Sequence, residues 1–175
     1  MSVGVLVGRF QPFHNGHLAA VKHALGKVDY LYVVVGSSQK SHERENPFTA
    51  SERIGMLKAA LDGAGVPPSK WMAIPLADTI SHSVWPATLK TTVPKFDMVF
   101  TNDSLTTRLL KEQGMKVYHV PYLKRDKYSG TNVRSGILEM KDWEKLVPKE
   151  VATMVRQVRG VERVKSMVQK DLQGD

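Results

Sequence analysis

Short apolar runs alternate with stretches of helical period along this chain. Residues 3–8 (VGVLVG), 30–37 (YLYVVVGS), 72–76 (MAIPL), 96–101 (FDMVFT) and 116–122 (KVYHVPY) are short and rich in β-branched residues. The first two are apolar without alternation, as expected of strands covered on both faces. Helical patterns lie between them. One covers 16–26. A second, 49–62, opens with Thr49 and Glu52 at capping-box spacing and stops before Gly63 and Gly65. A third, 104–113, ends at Gly114. The tail from Pro148 sets Val151, Met154, Val155, Val158, Val161, Val164 and Val168 on one stripe with charges opposite, and Gly160 is expected to bend or interrupt it. This alternation predicts an α/β protein: a doubly wound parallel five-stranded sheet with helices on both faces, in one domain spanning 1–175 with a C-terminal helical segment from about 148.

Composition narrows the class. The 175 residues include no cysteine, which excludes disulfides and thiolate chemistry and fits a reducing compartment. The N-terminus reads as a strand, with no basic leader or cleavage site, and no apolar run approaches the ~20 residues of a membrane span. A cytoplasmic protein with no membrane partner is expected. Lys and Arg number 25 against 17 Asp and Glu, giving +8, which points to a phosphate-rich partner. The basic residues are scattered and not interleaved with aromatics. That favours a nucleotide over a nucleic-acid surface. There is no internal repeat or linker. The longest irregular stretch is 37–48 (SSQKSHERENPF), a length typical of functional or mobile loops, in which His42 and Arg44 read as polar loop residues.

The candidate chemistry sits at the end of the first strand, in "GRFQPFHNGH", residues 8–17. In a sheet of this kind ligands bind beyond the carboxyl ends of the strands. Gly8 permits a tight exit, Pro12 fixes a bend, and Asn15-Gly16 starts a helix. Its unpaired N–H groups make an anion site. Arg9 adds a forked donor suited to phosphate. His14 and His17 share a face of the first helical turn, and Gly16 leaves room for a ligand. A metal reading of the His pair is weaker, because there is no cysteine and no glutamate between them.

These residues resemble the G-x-F-x-P-x-H-x-G-H signature of the nucleotidylyltransferase superfamily, which transfers a nucleotidyl group from a nucleoside triphosphate and releases pyrophosphate. "KYSGTNVRSGI", residues 127–137, resembles the superfamily's second signature, a Ser/Thr-rich turn at a helix start followed by arginine. Further stretches resemble archaeal-type nicotinamide mononucleotide (NMN) adenylyltransferases: "SSQKSHERENPFTASER", "IPLADT" followed by Trp85, "FDMVFTND", "DWEKLVPKEV" and "RGVERV". The likeness covers nearly the whole chain and implies a Rossmann-like nucleotidylyltransferase fold. One departure is Asn102-Asp103-Ser104, where the family carries a Gly-containing turn.

The resemblance implies that ATP and NMN are substrates and NAD the product, with Mg²⁺ carried mainly on the ATP phosphates and no protein metal ligands. It implies ATP binding by Gly8, Arg9, Phe10, His14, Gly16 and His17, completed by Tyr128, Ser129, Thr131 and Arg134. Of these, His14, His17 and Arg134 would act on the reacting phosphates. Arg53 would meet the NMN phosphate, Asp78 would help bind NMN, and Trp85 would stack on nicotinamide. Arg9 and Arg134 are expected to converge on one polyphosphate. A homo-oligomer with no nucleic-acid partner is expected. The alternatives are the same chemistry on another phosphorylated acceptor, such as flavin mononucleotide or phosphopantetheine, and a non-catalytic nucleic-acid-binding module.

Overall fold

A computed structural model describes the backbone of residues 1–172 and the side chains through Met167. The elements run β1 (Val3–Gly8), α1 (Asn15–Leu25), β2 (Tyr30–Val35), α2 (Ala50–Gly63), β3 (Trp71–Pro75) and α3 (Trp85–Thr92). They continue with β4 (Met98–Phe100), α4 (Ser104–Glu112), β5 (Val117–Tyr118), α5 (Gly130–Leu138), α6 (Lys149–Gln157) and α7 (Gly160–Leu172). The chain forms two compact units. The first comprises Met1–Arg9, Ala20–Gln39 and Pro67–Pro121, and the second comprises Phe10–Ala19, Lys40–Val66 and the chain from Tyr122 onward.

The first unit is the sheet. All five strands are parallel, in the order β3-β2-β1-β4-β5. The central place of β1 agrees with the doubly wound arrangement the sequence pattern predicts. Val5, Val34, Val99, Leu89 and Leu110 form its buried core with Leu76 and Val93. Helix α3 was not evident in the sequence, because the threonines of "WPATLKTT" are weak helix formers, although Pro86 falls in its first turn, where proline is tolerated. Burial of Pro86 and Leu89 overrides that weak propensity. Strand β5 is shorter than the apolar run 116–122. The Asn102 amide takes over its pairing: Nδ2 donates to the Val120 carbonyl at 2.7 Å and Oδ1 accepts from the Val120 N–H at 2.9 Å. Asp103 then caps α4, accepting from the Thr106 N–H at 2.7 Å. The departure at Asn102-Asp103-Ser104 is thus a clamp on the backbone beyond β5, followed by a helix cap.

The second unit is helical. Thr49 and Glu52 form the capping box of α2 in both directions, at 3.2 and 2.9 Å. The helix runs one residue further than its pattern implies, through Gly63, where the α6 side chain of Glu150 lies in the space a β-carbon would take. The turn falls instead at Gly65, with φ +71°. The tail breaks after Val158, with Arg159 at φ +55°, and α7 starts at Gly160. Val151, Val155 and Val164 of the predicted stripe are buried, while the Val168 side chain lies outside the described residues. Arg163 of α7 grips Glu52 with both terminal nitrogens, at 2.7 and 2.8 Å, and donates to the Pro47 carbonyl at 3.1 Å. Burial alone would raise the Glu52 pKa, but the bonds from Arg163 and Thr49 hold it below the usual carboxylate value.

Candidate active site

The first signature loop leaves β1 at Gly8, whose carbonyl accepts from the Gly36 N–H at 2.9 Å. Arg9 is exposed. Phe10 takes a left-handed backbone, φ 55°, with its ring only 1% exposed. Such a conformation costs a bulky residue roughly 1–2 kcal/mol and is tolerated where the surroundings over-determine it. Here the ring meets His17 edge-on at 4.7 Å, and Phe13 lies 5.5 Å from the same imidazole.

His14 and His17 build the start of α1 between them. The His14 carbonyl accepts the first helical bond, from the Leu18 N–H, so His14 is the helix cap and His17 stands three positions later. The His14 Nδ1 accepts from the His17 N–H, and the His17 Nδ1 accepts from the His14 N–H, each at 3.3 Å. This is a capping box made with imidazoles. The rings stack at 3.5 Å with 19° between their planes. An Nδ1 that accepts an N–H carries no proton, so each neutral ring holds its proton on Nε2 and presents it as a donor. Burial lowers the His14 pKa to about 4, and burial together with the charge of His14 takes His17 well below its usual value. The pair therefore offers two neutral N–H donors beside the partial positive charge of a helix N-terminus.

The second signature meets the first within the same unit. Ser129 caps α5, accepting from the Asn132 N–H at 3.1 Å. Arg134 donates from Nη1 to the Gln11 carbonyl at 2.8 Å. The approach requires Gly130, where a β-carbon would stand 3.0 Å from both the Gln11 oxygen and the Arg134 nitrogen. Gly16 is required in the same way: a β-carbon there would lie 3.1 Å from the His14 ring and 3.2 Å from Tyr128 Cβ. Thr131 and Arg134 line a cavity of about 280 Å³ with Arg44, Glu45 and Ser135. Arg44, which reads from the sequence as an ordinary loop residue, thus shares a cavity wall with the second signature. Gln11 was also missed: its amide is buried and bonds the Phe48 backbone twice. Its burial appears only in the folded structure, and the sequence offers no signal beyond a polar residue inside the signature.

Arg53 is fully buried and donates from Nε to the Thr49 carbonyl at 3.2 Å. In this conformation a phosphate reaches it only if neighbouring groups move. Asp78 and Trp85 belong to the sheet unit. The Asp78 carboxylate accepts from the Ser37 hydroxyl at 2.8 Å and the Gln39 amide at 3.1 Å. Trp85 opens α3 half-buried, packed on the sheet core. Among the described residues no group of three or more His, Asp or Glu could hold a metal ion, and no helix is long and apolar enough to cross a membrane.

The second unit thus gathers two neutral imidazole donors and an anchored arginine, groups suited to an anion such as phosphate. The chain belongs to the cytidylyltransferase-like family, which it matches over residues 5–136. Its relatives are more specific. It is 44% identical over 170 residues to a protein of Thermococcus sibiricus named nicotinamide-nucleotide adenylyltransferase, covering 97% of this chain and 91% of the relative. A protein of the same name from Archaeoglobus fulgidus is 44% identical over 169 residues, covering 94% of this chain and 97% of the relative. The fold is also that of a bifunctional NMN adenylyltransferase/ADP-ribose pyrophosphatase of Francisella tularensis, solved with AMP and a manganese ion. The TM-score is 0.82 at 22% identity, over 98% of this chain and 53% of that one. This chain therefore spans about half the length of the bifunctional protein.

Proposed function

We propose that this chain transfers the adenylyl group of ATP to NMN, giving NAD and pyrophosphate. The observation that carries the proposal is the reciprocal His14–His17 cap, with Arg134 anchored on the same loop. Its relatives' shared name supplies the acceptor. An NMN phosphate oxygen attacks the α-phosphorus of ATP in line. A new P–O bond forms, the bond to the β-phosphate oxygen breaks, and pyrophosphate leaves with that electron pair. The nucleophile is already anionic at neutral pH, so no general base and no covalent intermediate are needed. The reaction needs two polyanions held close and the developing charge stabilised.

In this reading the Nε2–H of His17 donates to the α-phosphate, where charge builds. His14 and Arg134 hold the β- and γ-phosphates and follow them as they leave. Arg9 adds a planar fork to the triphosphate, and Gly8, Phe10 and Gly16 shape the loop around it. Tyr128, Ser129 and Thr131 complete the phosphate site around the N-terminus of α5. On the acceptor, Arg53 serves the NMN phosphate once neighbouring groups move to admit it, Asp78 helps bind NMN, and Trp85 stacks on the nicotinamide face. The residues fit a divalent cation brought in by the triphosphate, since basic and N–H donors recognise phosphate and leave its other oxygens for metal. Mg²⁺ carried in this way would neutralise phosphate charge.

The test is direct. Purified protein is given ATP and NMN with and without Mg²⁺, and NAD is measured. Flavin mononucleotide and phosphopantetheine replace NMN in parallel. NAD formation that needs the divalent ion and exceeds turnover of the other acceptors is expected. Turnover of another acceptor in its place would move the assignment to that substrate. The proposal includes a cytoplasmic, self-associating enzyme without a nucleic-acid partner, and light scattering after size exclusion would read its assembly.

A further inference from the structure

Gln11 is 4% exposed, yet both ends of its amide bond one residue far along the chain. Its Nε2 donates to the Phe48 carbonyl at 2.9 Å, and its Oε1 accepts from the Phe48 N–H at 3.0 Å. Its own main-chain carbonyl accepts from Arg134 Nη1 at 2.8 Å. Phe48 precedes the Thr49 cap of α2, and its ring is fully buried. On the other side of Gln11, Pro12 and the buried Phe13 lead directly to His14. One residue therefore joins the loop that carries the histidine pair, the arginine of the second signature and the start of α2.

We propose that Gln11 is a positioning residue for the transfer: its amide holds the signature loop so that the histidine pair and Arg134 meet the polyphosphate in one fixed arrangement. The amide suits this role because Phe48 presents one donor and one acceptor, which only a group carrying one of each satisfies. A side chain present merely to fill space needs no such match. Gln11 touches no reacting atom in this reading. Its effect comes through Arg134 and the histidines, and it should fall on the reacting complex more than on binding, because small misplacements cost rate.

Two variants test this, each assayed at a temperature where circular dichroism shows it folded. Gln11→Met keeps the length and apolar bulk but neither hydrogen bond. It should lose about tenfold or more in kcat while KM for ATP and for NMN changes by less than about threefold. Gln11→Glu turns a carboxylate toward the Phe48 carbonyl. Its kcat relative to wild type should recover as the pH falls, because the protonated acid both donates and accepts. A folded Gln11→Met with wild-type kcat, or with its loss carried by KM alone, would overturn the proposal. So would a Gln11→Glu to wild-type ratio that stays low at every pH, and this arm decides the matter if Gln11→Met does not fold. The inference rests on the activity proposed above, and wild type run alongside separates the two. A wild type that makes no NAD refutes the activity. An active wild type beside an unimpaired Gln11→Met refutes only the positioning role.

Discussion

The loop from Phe10 to His17 and the segment from Ala77 to Trp85 carry candidate groups for the two substrates, and they are built in different ways. In the loop the imidazoles cap each other's backbone, aromatic rings surround them, and Gln11 ties the chain to Phe48. In the segment Asp78 is exposed and held by Ser37 and Gln39, Ile80 is fully exposed, and the serine and threonine hydroxyls bond their near neighbours. A site that must stabilise developing charge gains from donors fixed before the substrate arrives. A site that selects an acceptor can use side chains that settle around it. Rate should therefore depend on the loop, and acceptor choice on the segment.

The strongest way to break this contrast is His17→Ala. Removing one preorganised donor should lower kcat about 10²-fold or more with the fold retained by circular dichroism. A folded variant with wild-type turnover would mean that the loop is only structural.

A second test uses the cost of keeping the pair neutral. The folded pKa of His14 is lowered to about 4 by burial, against about 6.5 in the unfolded chain, so the unfolded state binds more protons between these values. Stability is then complete above about pH 6.5 and declines as the pH falls toward 4. The loss from His14 should reach about 2 kcal/mol by pH 5, several degrees in Tm. Thermal melts from pH 8 to 5 should show this slope, and His14→Asn should reduce it, leaving the part that buried His17 supplies. Melting curves with no slope that His14→Asn can remove would mean that the ring is not held neutral.

Arg134→Lys sharpens the comparison further. A point charge that still reaches the Gln11 carbonyl has no second nitrogen in the same plane for phosphate. Steady-state assays should show about a tenfold loss of turnover with the KM for NMN nearly unchanged. An equal loss in NMN affinity would place Arg134 outside the ATP side. The smallest effect is expected at Trp85. If its exposed face stacks on nicotinamide, Trp85→Ala should raise the KM for NMN about 2- to 10-fold and that for ATP less. Equal shifts, with only a lowered Tm, would leave it as a packing residue of the sheet unit.

The architecture was legible wherever a signal was local. Continuous β-branched runs marked β1 and β2, Thr49 and Glu52 marked the start of α2, and the strand–helix alternation marked a doubly wound parallel sheet. The signature residues were legible as candidates for an anion site because glycine, arginine and histidines at a helix start have few other uses. Three features were not legible. Helix α3 forms against its own propensity because Leu89 is buried. Arg53, ordinary on a helical wheel, proved fully enclosed. Asn102, read as a departure, pairs with the Val120 backbone two residues beyond β5.

The sequence by itself determined which groups are available: two histidines at capping-box spacing, an arginine after a glycine-rich turn, and strands that place the first signature at a carboxyl edge. Their spacing along one helix turn or one strand is set by backbone geometry, which is local. Only the tertiary structure decided how those groups are used. The reciprocal imidazole bonds set the tautomer, burial keeps the pair neutral, and the Gln11 carbonyl takes one nitrogen of Arg134. The imidazole bonds span one helical turn, but the burial that keeps the rings neutral and the meeting of Gln11 with Arg134, 123 positions apart, depend on the exclusion of water and on groups far apart in the chain.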